Sequence, residues 1–161
     1  MALSNKHKLI FILLYFFNLI SADNFDFKNY SVADGLSEST INVIHEDQNG
    51  FIYLGTENGL MMFDGIKFFN YKMNIFDDLS IFGNNIISIY EDTGGYIWVG
   101  TELGLSRLDP RFRTFKRIEH NEKYDLKNVE KIIEDEHRNI WIQCSGGIFR
   151  YLTLIPIKIL S

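Results

Sequence analysis

The chain has 161 residues, 46% of them apolar and 15% aromatic, which favours a folded domain with a hydrophobic core and argues against intrinsic disorder. Its formal net charge of −5 disfavours nucleic acid as a default partner. With one cysteine, Cys144, the chain cannot form an internal disulfide.

The N-terminal residues have the pattern of an export signal. A basic segment at 6–8 precedes the apolar run Leu9–Ile20 and the small-residue motif Ser21-Ala22. That run would rise about 18 Å as a helix, short of the roughly 30 Å of a membrane core. We therefore predict a cleaved signal peptide at 1–22 and a periplasmic or secreted mature chain at 23–161. An uncleaved membrane anchor is the alternative.

Beyond this leader the chain repeats itself. Ile41–Asp64 aligns without gaps to Ile86–Asp109 at a shift of 45 residues, and 12 of the 24 aligned positions are identical. A weaker third copy, Val129–Leu152, follows 43 residues further on. Periods of this length are typical of solenoids and propellers, so the function is expected to belong to an array of repeats.

The first repeat, residues 40–73, contains four short segments that read as strands. In order they are Thr40–His45, Phe51–Thr56, Leu60–Phe63 and Lys67–Lys72, and the turn motifs between them are Asp47–Gly50, Asn58-Gly59 and Asp64-Gly65. The second segment is nearly continuous in apolar residues, as expected for a strand buried on both faces. Helical solenoids would need long amphipathic runs, which the sequence lacks after residue 22.

The second repeat, residues 85–118, follows the same plan, with predicted strands at Asn85–Tyr90, Tyr96–Thr101, Leu105–Leu108 and Phe112–Ile118. The third repeat, residues 128–161, is degenerate. Arg138 replaces the turn glycine, at a cost of about 1 kcal/mol if the turn keeps a positive φ. Gln143-Cys144 replaces a Gly-Thr pair expected where strands crowd near a propeller axis, and Leu152–Ser161 replaces the fourth strand.

Phe25–Tyr30 resembles the fourth strand of the repeats but has no three strands before it. We predict an orphan outer strand at 25–32 that completes the last blade of a ring. Four antiparallel strands per repeat predict an all-β fold of propeller blades. Propellers have about four to eight blades, and this chain has about three, so the ring is incomplete. Either the chain is a fragment of a longer protein, or several copies share one ring.

Three motifs carry a family resemblance: Asp34-Gly35-Leu36-Ser37, then Leu54-Gly55-Thr56 with Gly59-Leu60, and above all Ile97–Thr101 with Gly104-Leu105. They resemble the repeat of the two-component regulator propeller family over residues 25 to about 151. The resemblance implies a sensor segment of a large exported propeller. Relatives continue into a membrane helix and an output domain, often a histidine kinase.

The resemblance implies a small-molecule or oligosaccharide ligand. We expect no cofactor. The chain carries no kinase motif, so we expect a non-catalytic sensor segment, truncated after an eroded third repeat. Its other partners would be further blades or copies of itself, with the membrane reached only through downstream segments. The alternative is a freestanding exported, lectin-like binding protein whose copies assemble one propeller. An enzyme on a propeller scaffold is the weakest hypothesis, because no convergent catalytic set occurs.

Three acidic pairs recur at one phase of the repeats: Glu46-Asp47, Glu91-Asp92 and Glu134-Asp135. Paired carboxylates can bind metals or perform acid–base chemistry when they converge on one site. Each pair here belongs to a different blade and enters a tight turn, so we interpret them as turn caps.

The remaining candidate residues favour structural roles, and no catalytic, metal or cofactor residue is predicted. The histidines His45, His120 and His137 lack metal-ligand spacing. Cys144 is interpreted as a small core residue, and Ser37 and Ser39 lack a nucleophile motif.

Two further groups leave alternatives open. A basic group in repeat two could bind an acidic glycan or could form a solvated outer edge: Arg107, Arg111, Arg113, Lys116 and Arg117. Tyr53, Trp98 and Trp141 share one phase, which predicts packing between blades rather than sugar binding. Ligand contacts are expected in the linkers Asn74–Asn84 or Glu119–Lys127, without assignment to single residues.

Overall fold

The computed structural model describes residues 26–118 and 125–152, and this part of the chain contains eleven β-strands. The strands are β1 (Val43–Glu46), β2 (Ile52–Thr56), β3 (Gly59–Phe63), β4 (Phe68–Tyr71), β5 (Ile86–Glu91), β6 (Ile97–Thr101), β7 (Leu105–Asp109), β8 (Thr114–Ile118), β9 (Lys131–Glu134), β10 (Ile140–Cys144) and β11 (Gly147–Tyr151). A short 3-10 turn at Val32–Asp34 precedes them. Within the described ranges, no helix has the length and apolar character needed to cross a bilayer.

These strands form three antiparallel sheets, each with its strands in sequence order. Blade 1 contains β1 to β4, blade 2 contains β5 to β8, and blade 3 contains β9 to β11. This connectivity is that of propeller blades, because each strand pairs with the next through a tight turn. The predicted all-β blade architecture is confirmed, and the three described sheets do not close a ring.

The predicted strands agree with the observed ones to within three residues. The last strand of repeat two begins at Thr114 rather than Phe112, because the turn before it is longer than expected. Arg113 adopts a left-handed φ of 55°, and its N–H donates to the Asp109 carbonyl at 2.8 Å. A residue in this conformation cannot continue an extended strand.

The segment predicted as an orphan outer strand, 25–32, is described from Asp26 onward. Its described part forms no strand, and Tyr30 instead packs edge-on against Phe63 and Phe68, with ring centroids 5.2 and 5.8 Å apart. A strand is stabilised by pairing with a neighbour, and the expected partner belongs to a blade outside the described residues. Completion of a last blade by this segment therefore stays a prediction.

The core lies between the blades, in two clusters of buried apolar side chains. Blades 1 and 2 enclose Tyr53, Leu60, Met62, Ile81, Ile86, Ile97, Val99, Leu108 and Phe115. Blades 2 and 3 enclose Trp98, Leu105, Ile118, Leu126, Val129, Ile132, Ile140, Ile142 and Cys144. Strand β6 is buried along its whole length because it lies between both clusters. The expected burial of the second strand in each repeat is thus met in blade 2.

Glycine at one position of the second strand lets adjacent blades approach closely. A Cβ on Gly55 would lie 2.6 Å from Ile86 of blade 2, and a Cβ on Gly100 would lie 2.6 Å from Val129 of blade 3. Both distances are too short for real carbon atoms. The crowding predicted for the Gly-Thr pair is confirmed, and Gln143 holds this position in blade 3, where the described residues place no following blade.

Candidate ligand-binding loops

Because the strands of each sheet are antiparallel, the loops that follow alternate strands lie at the same end of the sheet. We call one end the linker face; it carries the hairpin tips 57–58, 102–103 and 145–146 and the described linker residues 72–85 and 125–130. The Gly59 N–H donates to the Asn84 carbonyl at 2.8 Å, which ties hairpin to linker. We call the other end the turn face; it carries the turns 47–50, 92–95 and 135–138.

Arg117 of β8 holds the linker between blades 1 and 2. Its guanidinium donates to the carbonyls of Asn74, Asp77 and Ser80 and to the Ser80 hydroxyl, at 2.7 to 3.1 Å. The Phe115 N–H donates to the Leu79 carbonyl at 2.9 Å. We call residues 74–80 the anchored loop, because these bonds fix its backbone to blade 2.

Apolar side chains on the anchored loop face solvent. Phe76 is 92% exposed, and Ile75 and Leu79 are also exposed. An exposed aromatic ring normally costs free energy in water, so its display on a fixed backbone is a feature of binding surfaces. The predicted linker Asn74–Asn84 therefore has the physical properties of a contact surface.

A cavity of about 700 Å³ lies beneath the anchored loop. It is lined by Asp78, Leu79, Arg107, Asp109, Thr114, Phe115, Lys116 and Arg117. Its volume lies within the range of small-molecule sites, and its wall presents both carboxylates and cationic groups beside apolar carbon. Such a lining suits a polar, uncharged or weakly charged ligand.

A second cavity of about 790 Å³ lies between β8 and β11. It is lined by Lys116, Arg117, Ile118, Leu126, Ile142, Ile148, Phe149, Arg150, Tyr151 and Leu152. The segment predicted to replace the fourth strand, Leu152–Ser161, lies outside the described residues from 153 onward. The other predicted linker, Glu119–Lys127, is described only from Asp125; there Leu126 is buried between blades 2 and 3.

The acidic pairs are turn caps, as predicted, and also join adjacent blades. Asp92 Oδ1 accepts the N–H groups of Gly94 and Tyr96 at 2.9 and 3.0 Å. Glu91 accepts the Gln48 N–H of blade 1 at 2.9 Å, and Glu134 accepts the Thr93 N–H of blade 2 at 2.8 Å. Sequence patterns carry no signal for the second role, because that role depends on how the blades stack.

The tryptophans at the shared aromatic position of blades 2 and 3 have structural roles. Asp92 Oδ2 accepts the Trp98 indole N–H at 2.7 Å, and Asp135 Oδ2 accepts that of Trp141 at 2.8 Å. The bonds from Trp141 and then Asn139 hold the pKa of Asp135 well below its usual value. Trp98 is buried between blades, as predicted, whereas Trp141 is half-buried on the outer side of blade 3.

The other predicted residues lie apart from one another. His45 Nε2 is 3.8 Å from Glu91, and His137 Nδ1 is 3.8 Å from the carboxylate of Glu136, its neighbour in sequence. His120 lies outside the described residues. Within those ranges, no three metal-ligating side chains converge. Cys144 is buried in the core, and burial raises the pKa of its thiol.

The basic group of repeat two divides into separate roles. Arg107 and Arg113 lie over the rings of Tyr96 and Phe69, each 4.1 Å from the ring centroid. Arg111 bonds Asp109 through two nitrogens, and this pairing lowers the pKa of the Asp109 carboxyl. With Arg117 anchoring the loop, four of the five cations have intramolecular partners. These contacts disfavour a single patch for an acidic glycan.

Comparison with known proteins agrees with this architecture. Residues 35–58 and 80–102 match the family described as two component regulator propeller. These two segments are similar to two-component regulator propeller repeats. Histidine kinase P4 of Formosa agariphila is 39% identical over 74 residues, which is 44% of this chain and 5% of the kinase.

Two solved structures from B. thetaiotaomicron share the propeller fold. The extracellular domain of a hybrid two-component system superposes with a TM-score of 0.65 at 23% identity, over 77% of this chain and 20% of that one. The extracellular domain of a one-component system gives 0.64 at 26% identity, over 74% and 17%. The chain thus spans a fifth or less of the length of these relatives.

Proposed function

We propose that this chain forms part of the extracytoplasmic ligand-sensing region of a two-component signalling protein. The matched propeller repeats and the likeness to extracellular domains of signalling systems support this assignment. The N-terminal export pattern agrees with it. Signalling would pass through parts of a longer protein, and this segment would itself bind ligand without catalysis.

The observation that carries the proposal is the anchored loop. Arg117 holds its backbone by bonds to Asn74, Asp77 and Ser80, while Phe76 faces solvent beside the 700 Å³ cavity. A fixed aromatic surface next to carboxylates and guanidinium groups suits an oligosaccharide, whose rings have apolar faces and whose hydroxyls donate and accept hydrogen bonds.

Ligand binding across loops of adjacent blades would act by population shift. A ligand that contacts the anchored loop of blade 1 and the edge of blade 2 favours the blade arrangement in which both surfaces are in reach. Downstream domains would then respond to the change in propeller geometry.

The binding surface is tested by replacing Phe76 with alanine. We expect Phe76→Ala to weaken oligosaccharide binding by about tenfold, which corresponds to about 1.4 kcal/mol for a lost stacking contact. Titration calorimetry against a panel of oligosaccharides released from polysaccharides provides the measurement. Phe27→Ala is the matched control, because Phe27 is 90% exposed and lies outside both the anchored loop and the residues that line the cavity. Equal affinities for both variants would contradict the proposed surface.

The freestanding, lectin-like binding protein is the second candidate. The observation that favours it is an exposed isoleucine on each of the two outermost blade faces, Ile44 of blade 1 and Ile133 of blade 3. Copies that cover these faces would complete a propeller without further domains. The solution mass of the chain distinguishes the two candidates.

A further inference from the structure

Blade 1 breaks the aspartate–tryptophan rule that blades 2 and 3 follow. Tyr53 stands at the phase of Trp98 and Trp141. Asp47 Oδ1 still accepts the N–H groups of Asn49 and Phe51, at 2.9 Å each. Its other oxygen, Oδ2, has no protein partner among the described residues, and neither has the Tyr53 hydroxyl.

Both unpartnered groups are deeply buried. Asp47 is 4% exposed and Tyr53 is 0% exposed, between blades 1 and 2. A buried carboxylate oxygen or hydroxyl without a hydrogen bond costs free energy, and native proteins leave few of them unpaired. The same sequence change therefore orphans two polar atoms at once.

Three further buried polar atoms that make no hydrogen bond within the described part of the protein lie near this pair. They belong to His45 (Nε2), Tyr71 (hydroxyl) and Glu91 (Oε1). His45 lies opposite Tyr53 in the β1–β2 pair, and its Nε2 is 3.8 Å from the Glu91 carboxylate of blade 2. Burial, followed by the charges of Asp47, Tyr71 and Glu91, raises the pKa of the Tyr53 hydroxyl. The phenol therefore remains protonated and can donate a hydrogen bond.

We propose that a buried water molecule joins blades 1 and 2 at this point, donating to Asp47 Oδ2 and Glu91 Oε1 and accepting from the Tyr53 hydroxyl. These three partners match the hydrogen-bonding capacity of water, and buried waters typically make about three bonds. A phenol ring is smaller than an indole, so Tyr53 fills less of its interface than Trp98 does, and one water needs roughly 30 Å³. The interface of blades 2 and 3 needs no such water, because Trp98 bonds Asp92 directly.

Removal of the Tyr53 hydroxyl distinguishes between a hydrated site and a dry one. If water bridges the three groups, Tyr53→Phe deletes a satisfied hydrogen bond and lowers the urea midpoint of the chain. A dry site would give the opposite result, because removing an orphaned buried hydroxyl relieves its desolvation cost. A midpoint equal to or above that of the parent chain would therefore overturn the proposal.

Exchange of the aromatic residues provides the matched pair of variants. Tyr53→Trp should restore the indole bond to Asp47, displace the water and raise the urea midpoint. Trp98→Tyr should lower the midpoint, because it removes the indole bond to Asp92 from the interface of blades 2 and 3.

A crystal structure gives a second readout that does not depend on stability. In the parent chain we expect solvent density within hydrogen-bond distance of both Asp47 Oδ2 and the Tyr53 hydroxyl. Absence of this density at a resolution that shows other buried waters would overturn the proposal. So would density of a bound cation with short contacts to both carboxylates.

Discussion

At the scale of single residues, one aspartate organises each turn on the turn face. Asp47, Asp92 and Asp135 each accept two N–H groups, from the residues two and four positions later. The short carboxylate reaches these donors without leaving its own turn. A residue of positive φ follows three positions after each aspartate; it is Gly50, Gly95 or Arg138. The first two are glycines because this conformation is strained for other residues.

Arg138 adopts a φ of 64°, so the predicted strain at the turn of blade 3 is present. We expect Arg138→Gly to raise the free energy of unfolding by about 1 kcal/mol, because glycine has no Cβ to clash in the left-handed region. Urea titration followed by circular dichroism measures the change. Gly50→Ala is the control for the reverse effect: its φ is 82° and a Cβ there meets no atom within 4 Å, so its expected loss of stability reports backbone strain alone. This account of the turns would be contradicted if Arg138→Gly did not stabilise the chain and Gly50→Ala did not destabilise it.

At the scale of whole strands, a glutamate at the end of the innermost strand binds each blade to the turn of the preceding one. Glu134 accepts both the backbone N–H and the hydroxyl of Thr93, at 2.8 and 2.9 Å. Glu91 likewise accepts a backbone N–H from the turn of blade 1, that of Gln48. Glu46 holds this phase in blade 1 and is exposed. The position is therefore a repeated link between blades, used twice within the described residues.

We expect Glu134→Ala to lower the free energy of unfolding by about 1 to 2 kcal/mol, because two hydrogen bonds to a charged group are lost. Glu46→Ala is the matched control and should change it by less than about 0.5 kcal/mol, as for other exposed positions. Hydrogen exchange adds a local readout, since the Thr93 amide should lose protection only in the Glu134 variant. Equal effects of the two substitutions would show that the link contributes nothing.

At the scale of the whole molecule, each of the two outermost blade faces exposes an isoleucine. Ile44 is 68% exposed, whereas Ile89 and Ile132, at the same phase of blades 2 and 3, pack against the preceding blade. Ile133 is 48% exposed on the other end of the stack. Faces of this kind associate with other apolar surfaces, and unlike faces that pair head to tail give rings or open filaments.

We expect light scattering of residues 23–161 to give a mass above that of a monomer, with circular dichroism showing β-structure. A discrete oligomer would support copies sharing one propeller, and a broad distribution would support a segment of a longer sensor. Whether the parent chain forms a discrete oligomer or a broad distribution, Ile44→Lys should lower its mass toward that of a monomer, because it adds charge to a blade face. Ile66→Lys, at a position that is 89% exposed in a turn, should not. A stable, folded monomer of the parent chain would contradict the assignment of these faces.

The repeat period and the turn residues determined the blade fold from sequence alone, because hydrogen bonds within one blade join residues close along the chain. The strand bounds, the positive φ at Arg138 and the aspartate turn caps follow from such local patterns. Burial of Trp98 and Cys144 was equally predictable from their phase in the repeat. What the sequence left open was the candidate site, since the linkers differ in length and composition between repeats.

Only the tertiary structure assigned roles that join one blade to another. Arg117 bonds carbonyls of the anchored loop, Glu91 reaches the turn of blade 1, and Asp47 and Tyr53 are left without partners between two sheets. The first two roles link residues about 40 positions apart. The third arises because the packing of blade 2 against blade 1 buries Asp47 and Tyr53. Their proximity arises from the stacking of blades, which local propensity does not encode. The sequence by itself therefore decides what each blade is, and packing decides which side chains meet between blades.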